Sequence, residues 1–447
     1  MRNTDLHQIA ATLPRPRRRA EEMLNALLDG RSVIWTFPKT MEPSSVIRWL
    51  MDQCAEDGYT LREIRIPSAD ADPETVLANA ILGVNGAADA AGGSDHSLLR
   101  LLFCRAPDVI VLYGIETLSP VAARSWARFL SRWSTQVRRR STDDFISKAF
   151  LVPTSDLTFA EAVQEEPFVL QRTYWGWIGD IEMRVLAREL AHLRSVRGTE
   201  RRWLETSLVG VAGSDVDVLQ WLTDRMATSD SAAGIIANLA EYGRSRGWDK
   251  LLEKEPELLQ QAVIGSGLWS NPDDRYAQDP PVAGRRLWLE GLLDKDRYEG
   301  ICLHSAAAAL RGDTHLVEHR IWRGQARTLL PVLDAVRLEV CEYLSDRHAA
   351  WRTYEFSPTR PADDEASLPR AGKAAWNGAA KLDEYPAIVA FVDGLRKKYG
   401  KYRPLYNAVK KLRDSRNQLA HYNPLNRSQF DRFWEAARTA RDFVRDN

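Results

Sequence analysis

The four cysteines of this chain, Cys54, Cys104, Cys302 and Cys341, lie far apart and form no CxxC pair. That spacing argues against a disulfide framework and against a cysteine zinc site, and fits a reducing cytoplasm. No apolar run approaches the length of a membrane span, and the N-terminus is polar and then basic (Pro14-Arg15-Pro16-Arg17-Arg18-Arg19), without the apolar core of a secretory signal. A soluble cytoplasmic protein is expected. Charge of one sign is missing too. Lys plus Arg and Asp plus Glu are 61 each, so no global field steers the molecule to nucleic acid, and any RNA affinity must come from local patches.

What is present is an ordinary globular balance, 44% apolar and 27% charged residues, so most of the chain should fold. At 447 residues it is too long for one core, and two or three domains are expected. Four short apolar runs, Ser32 to Phe37, Leu61 to Ile66, Asp108 to Tyr113 and Lys148 to Pro153, alternate with helical patterns over Ser44 to Gln53, Pro73 to Leu82 and Ser119 to Trp133. This alternation predicts an α/β domain with a parallel sheet over 26–172, after a basic segment 1–25. The run Arg138-Arg139-Arg140 is expected in the loop before the fourth strand, either solvated or in contact with RNA or an acidic partner.

The first strand ends in Pro38-Lys39-Thr40, and the third is followed by Gly114-Ile115-Glu116. This skeleton resembles the STAND and AAA-like P-loop ATPases. In that family the phosphate loop, GxxxxGK[ST], needs glycines so that backbone N–H groups can approach phosphate. Here no glycine lies between Ser32 and Thr40, and Tyr113 stands where the resemblance would place the magnesium-holding acid. Lys39, Thr40 and Glu116 are therefore read either as a nucleotide-site remnant or as a surface turn and a capping acid. ATP turnover is not expected, and no cofactor is implied.

From 173 to 314 the apolar spacing is helical, as in Ile181, Val185, Leu186, Leu190 and Leu193, and no sheet is expected. By analogy with STAND proteins this segment would be a helical lid or connector. Its tryptophans, among them Trp203, Trp221, Trp248 and Trp288, are expected in cores; Tyr174-Trp175-Gly176-Trp177 suits a junction or partner surface, and the Pro- and Asp-rich stretch Ser270 to Arg285 a hinge.

The C-terminal part, 315–447, reads as all-α. His315-Leu316-Val317-Glu318-His319 matches the short His-x-x-Glu-His pattern of inverted zincins, but no third ligand accompanies it; a solvated polar helix start is expected, and no metal site. Trp322 to Leu344 predicts one long helix with Gln325, Leu329, Leu333, Val336, Val340 and Leu344 facing inward and Pro331 inside it. A polar insert, Ser357 to Lys373, precedes helical patterns over Ile388 to Lys398, Leu405 to Leu412 and Ser428 to Val444.

Between the last two patterns stands Arg416-Asn417-Gln418-Leu419-Ala420-His421-Tyr422-Asn423-Pro424. An Arg-Asn-x-x-x-His hexad after a basic helix, with Ile321-Trp322-Arg323-Gly324-Gln325 upstream, resembles the signature of HEPN domains from bacterial toxin and antiviral systems. The same hexad occurs at Arg2-Asn3-Thr4-Asp5-Leu6-His7, where that helical context is lacking. The resemblance implies a metal-independent endoribonuclease effector controlled by the degenerate N-terminal domain. A second reading is a non-catalytic RNA-binding or docking component of an antiviral complex, with a partner protein from a defence operon.

Each candidate residue has a chemical reason. A histidine moves protons near neutral pH, so His421 is assigned to the 2′-hydroxyl or the leaving oxygen. Arg416 keeps its proton and offers paired donors to a phosphate gaining charge. Asn417, one turn before His421, would orient the ring or the phosphate, and Arg413 and Lys410 would hold the flanking RNA backbone. Positions five apart sit about 140° round a helix, so one helix presents Arg416 and His421 poorly to one atom. The resemblance implies a homodimer in which two such helices face each other.

Overall fold

Apolar runs with both faces covered become buried parallel strands. In the computed structural model, which describes residues 6–39, 41, 43–90, 104–140, 148–163, 168–174, 178–254, 257, 282–296, 300–354 and 384–447, the four predicted runs form β1 (Ser32–Thr36), β2 (Leu61–Arg65), β3 (Val109–Tyr113) and β4 (Ala149–Thr154). A fifth strand, β5 (Val169–Thr173), was not expected. The sheet is parallel throughout, in the order β2-β3-β4-β1-β5, with Thr36 opposite both Thr154 and Thr173.

Helices cover both faces. α1 (Leu6–Thr12), α2 (Pro14–Leu28) and α3 (Ser44–Glu56) pack Met23, Leu27, Ile47 and Leu50 on Val33, Trp35, Val111 and Leu151. The basic N-terminal segment is thus part of the core through its apolar stripe. On the other face lie α4 (Pro73–Ala90), α5 (Pro120–Arg140) and α6 (Leu157–Ala162), with Leu77, Trp126, Phe129, Trp133 and Phe159 against Ile34, Ile110, Leu112 and Phe150. Trp126 Nε1 donates to the Ala71 carbonyl at 2.9 Å and Trp133 Nε1 to that of Lys148 at 3.1 Å, so both buried indoles are satisfied. Arg138, Arg139 and Arg140 belong to the last turn of α5 and not to a loop, because the helix outlasts its apolar stripe.

The segment 173–314 is not purely helical. Leu293–Asp296 and Gly300–Leu303, hereafter β6 and β7, form an antiparallel pair, a correction to the all-helical reading. Among the described residues no helix is long and apolar enough to cross a membrane.

The chain divides into two compact units, and the middle segment contributes to both. One comprises residues 1–189, 213–217 and 243–307; the other 190–212, 218–242 and 308–447. The second unit is helical. Its frame is α7 (Thr314–Arg347), α8 (Tyr385–Lys398), α9 (Arg403–Ala420) and α10 (Arg427–Asp446), with α9 packed on α10, α8 and α7. The predicted inward stripe of α7, Gln325 through Leu344, is buried, and Pro331 lies inside the helix. Phe430, Phe433 and Ala437 of α10 and Leu405, Val409 and Leu412 of α9 complete the core. The helical stretch Gly198 to Ala212 crosses α7 closely. A Cβ on Gly324 would overlap the Thr206 carbonyl oxygen, and one on Gly210 would come within 2.8 Å of that of Arg320, so both positions need glycine. The insert Ser357 to Lys373 and most of Ser270 to Arg285 lie outside the described residues.

Candidate functional site

In the first unit β1 and β4 are neighbours, yet β1 leads into α3 on one face and β4 into α6 on the other. Their carboxyl ends form a topological switch point, where open α/β sheets bind ligands. Lys39 follows β1 there, but its Nζ is paired with Glu290 at 2.7 Å and its backbone N–H donates to the Leu289 carbonyl at 2.8 Å. Glu116 accepts the Ser155 N–H at 3.0 Å and ties the β3 turn to the β4 turn. Thr40 lies outside the described residues, and Tyr113 packs at the edge of the core.

Near this point is a cavity of about 90 Å³ lined by His7, Pro38, Tyr174, Asp215, Asp217 and His304. Its side chains engage one another: His7 Nε2 meets Asp217 at 2.7 Å, Arg246 meets the same carboxylate at 2.6 Å, and His304 Nε2 meets Asp215 at 3.2 Å. Burial first, and the Glu182 carboxylate second, push the Tyr174 phenol above its ordinary range. The N-terminal copy of the hexad therefore ends in a histidine that the fold uses structurally.

The second unit treats its motif differently. Arg416, Asn417 and His421 occupy the last turn of α9 and its C-cap; all are exposed, and their side chains make no hydrogen bond, ion pair or ring contact with any described residue. Lys410 is likewise exposed and unpartnered, while Arg413 forks onto Asp414 at 2.7 and 3.0 Å.

The backbone around these side chains is firmly held. Tyr422 donates its N–H to the Leu419 carbonyl at 3.2 Å and Asn423 to that of Gln418 at 3.1 Å, a helix stop that puts the residue after the cap in the left-handed region. That residue is Tyr422, at φ +60°, a conformation that costs a non-glycine residue on the order of 1–3 kcal/mol. Trp322 Nε1 donates to the Leu419 carbonyl at 2.6 Å, and the Trp322 and Tyr422 rings pack with centroids 4.5 Å apart. His319 lies on Trp322 at 5.2 Å. The buried Gln325 amide clamps the turn beyond: Nε2 donates to the Leu425 carbonyl at 2.9 Å and to Ser207 Oγ at 3.0 Å, and Oε1 accepts the Leu425 N–H at 2.7 Å. Asn426 and Gln429 then start α10 with a reciprocal capping box.

The roles of Trp322, Gln325 and Tyr422 were missed in the sequence; the only signal was an aromatic standing where a helix stop favours glycine. His315 is fully open to solvent, with Glu318 at 3.7 Å, and among the described residues no group of three or more His, Cys, Asp or Glu is arranged to hold a metal ion. No protein-family model matches the chain, and no curated protein is significantly similar to it.

Proposed function

We propose that the helical second unit is an endoribonuclease of the HEPN type, the effector of a bacterial defence or toxin system, working as a homodimer without a metal ion. The observation that carries this reading is that Arg416, Asn417 and His421 are exposed, with side chains engaged by no described residue, at a helix end fixed by Trp322 and Gln325. These three are held out on a rigid base, as a preorganised site requires.

In the proposed reaction the imidazole of His421 takes the proton of a ribose 2′-hydroxyl. The 2′-oxygen attacks the adjacent phosphorus, the bond to the 5′-oxygen breaks and that oxygen takes a proton from water, the imidazolium returns its own proton to solvent, and a 2′,3′-cyclic phosphate remains. Arg416 stabilises the extra charge on the non-bridging oxygens with paired donors. Asn417 orients the phosphate or the ring, and Lys410 and Arg413 hold the flanking backbone, a contribution that weakens with salt. Because Arg416 and His421 point to different sides of α9, a facing copy brings one chain's arginine to the other's histidine. The first unit keeps the layout of a nucleotide-binding sheet but not its chemistry, since Lys39 and Glu116 serve as structural ties, and acts as a control element without ATP turnover.

The test uses a short RNA strand carrying a single 2′-deoxy position. Cleavage at every step but that one, unchanged by EDTA, is expected; cutting that EDTA abolishes and magnesium restores would overturn the assignment. Equal growth of cells expressing wild type and His421→Ala would favour the docking reading.

A further inference from the structure

We propose that Tyr422 is a stacking platform for an unpaired RNA base, so that the substrate of the site is single-stranded RNA and not duplex. This inference rests on the nuclease reading for its ligand, but on separate observations for its geometry.

Glycine would close this helix end with less strain, since the position after the cap sits at φ +60°. Ser195 is the only other described non-glycine residue in that region. Nor does burial explain the tyrosine, which is 63% exposed. What the ring does have is a rigid floor. The Trp322 ring lies against it at 4.5 Å with the planes tilted by 48°, the His319 ring stands 6.5 Å from it with planes 24° apart, and the Trp322 indole is pinned through Nε1 to the Leu419 carbonyl. A strained, supported aromatic ring open to solvent matches the way proteins receive a nucleobase.

Its surroundings choose the occupant. Tyr422 directly follows His421, and the exposed Arg416 lies in the last turns of α9 with the exposed Lys410 further back along it, so cations for the phosphates precede a surface for the base. A paired base has both faces covered by its neighbours in the duplex and cannot lie on this ring; a base in a loop, bulge or tail can. Because every base has a π face, the platform selects strandedness and not sequence.

The experiment measures binding of the full-length protein to a fluorescein-labelled 2′-O-methyl RNA of about 12 nucleotides, which cannot be cut, alone and annealed to its complement. Wild type is expected to prefer the single strand, and Tyr422→Gly to weaken single-strand binding about tenfold while leaving the duplex unaffected. Glycine and asparagine both accept this φ, so Tyr422→Gly and Tyr422→Asn should keep the melting temperature; Tyr422→Phe should keep the preference. Equal wild-type affinity for strand and duplex, or unaltered strand binding by both Tyr422→Gly and Tyr422→Asn, overturns the proposal. So does a Tyr422→Gly protein that turns monomeric with its RNA affinity intact, which would make the ring an interface between copies. Cleavage of the unmodified strand separates the two readings. Wild type that binds by this pattern but does not cut retains the platform and loses the nuclease; wild type that cuts, with KM unchanged in Tyr422→Gly, does the reverse.

Discussion

The ends of β1 and α9 each carry the residues of a recognisable motif, and the fold uses them in opposite ways. After β1, Lys39 is paired with Glu290, and after the other motif strand, β3, Glu116 is hydrogen-bonded to the Ser155 backbone. At the end of α9, the side chains of Arg416, Asn417 and His421 are engaged by no described residue while their neighbours Leu419, Tyr422 and Leu425 are fastened in place. The contrast teaches that a motif should be judged by whether the fold has already used its side chains: one that has become part of the scaffold has lost its freedom to meet a ligand.

The largest effect that could break this comparison is in cleavage. His421→Ala and Arg416→Ala should each lower RNA cleavage by roughly a hundredfold or more, with melting temperature unchanged, because neither side chain supports the fold. Single-turnover assays of both variants check this, and wild-type rates in both would place the chemistry elsewhere. Next comes the base beneath the site. Gln325→Leu removes three buried hydrogen bonds and strands the Leu425 N–H and carbonyl, so the helical unit should lose roughly 3 kcal/mol, on the order of 10 °C in melting temperature. Calorimetry of the full-length protein reads it.

At the end of β1 the expected effect is nil. Lys39→Ala should release no less phosphate from ATP than wild type, both at background; release by wild type alone would mean that Lys39 leaves Glu290 and that the contrast between the two motifs is wrong. The smallest effect is in pH. Burial, and then the nearby Lys401, lower the His348 pKa, and its ring nitrogen meets the Tyr402 hydroxyl at 2.8 Å. Folding therefore favours the neutral ring, whose contribution is complete above the ordinary histidine pKa and is lost as pH falls from there through the lowered value. Melting temperature should decline slightly across that range in wild type and less in His348→Gln.

Much of the architecture was legible because burial leaves a simple trace. β1 and β4 are buried along their whole length and read as unbroken apolar runs. β5 was missed because Gln171, Arg172 and Thr173 are only half-buried at the sheet edge, and β6 because Leu293-Asp294-Lys295-Asp296 is four residues with two acids. The hexad could be found from its spacing and its helical context, which sets it apart from the copy at Arg2 to His7, whereas its support could not. Gln325 reads as one more inward position on α7, and its partners Ser207 and Leu425 are 118 and 100 residues away. The strain at Tyr422 is a backbone property that no residue pattern announces.

The division of the chain into interleaved units has a consequence for synthesis. The helices that pack on α7 and α10, with Trp203 against Phe430, are made more than 200 residues before the last turn of α10. They must wait, half-covered, while the first unit receives its final segment, 243–307, and only then meet their partners. Contacts this distant in sequence are slow to form. The helical unit should therefore complete its core only once α10 has joined α7 and the stretch Gly198 to Ala212.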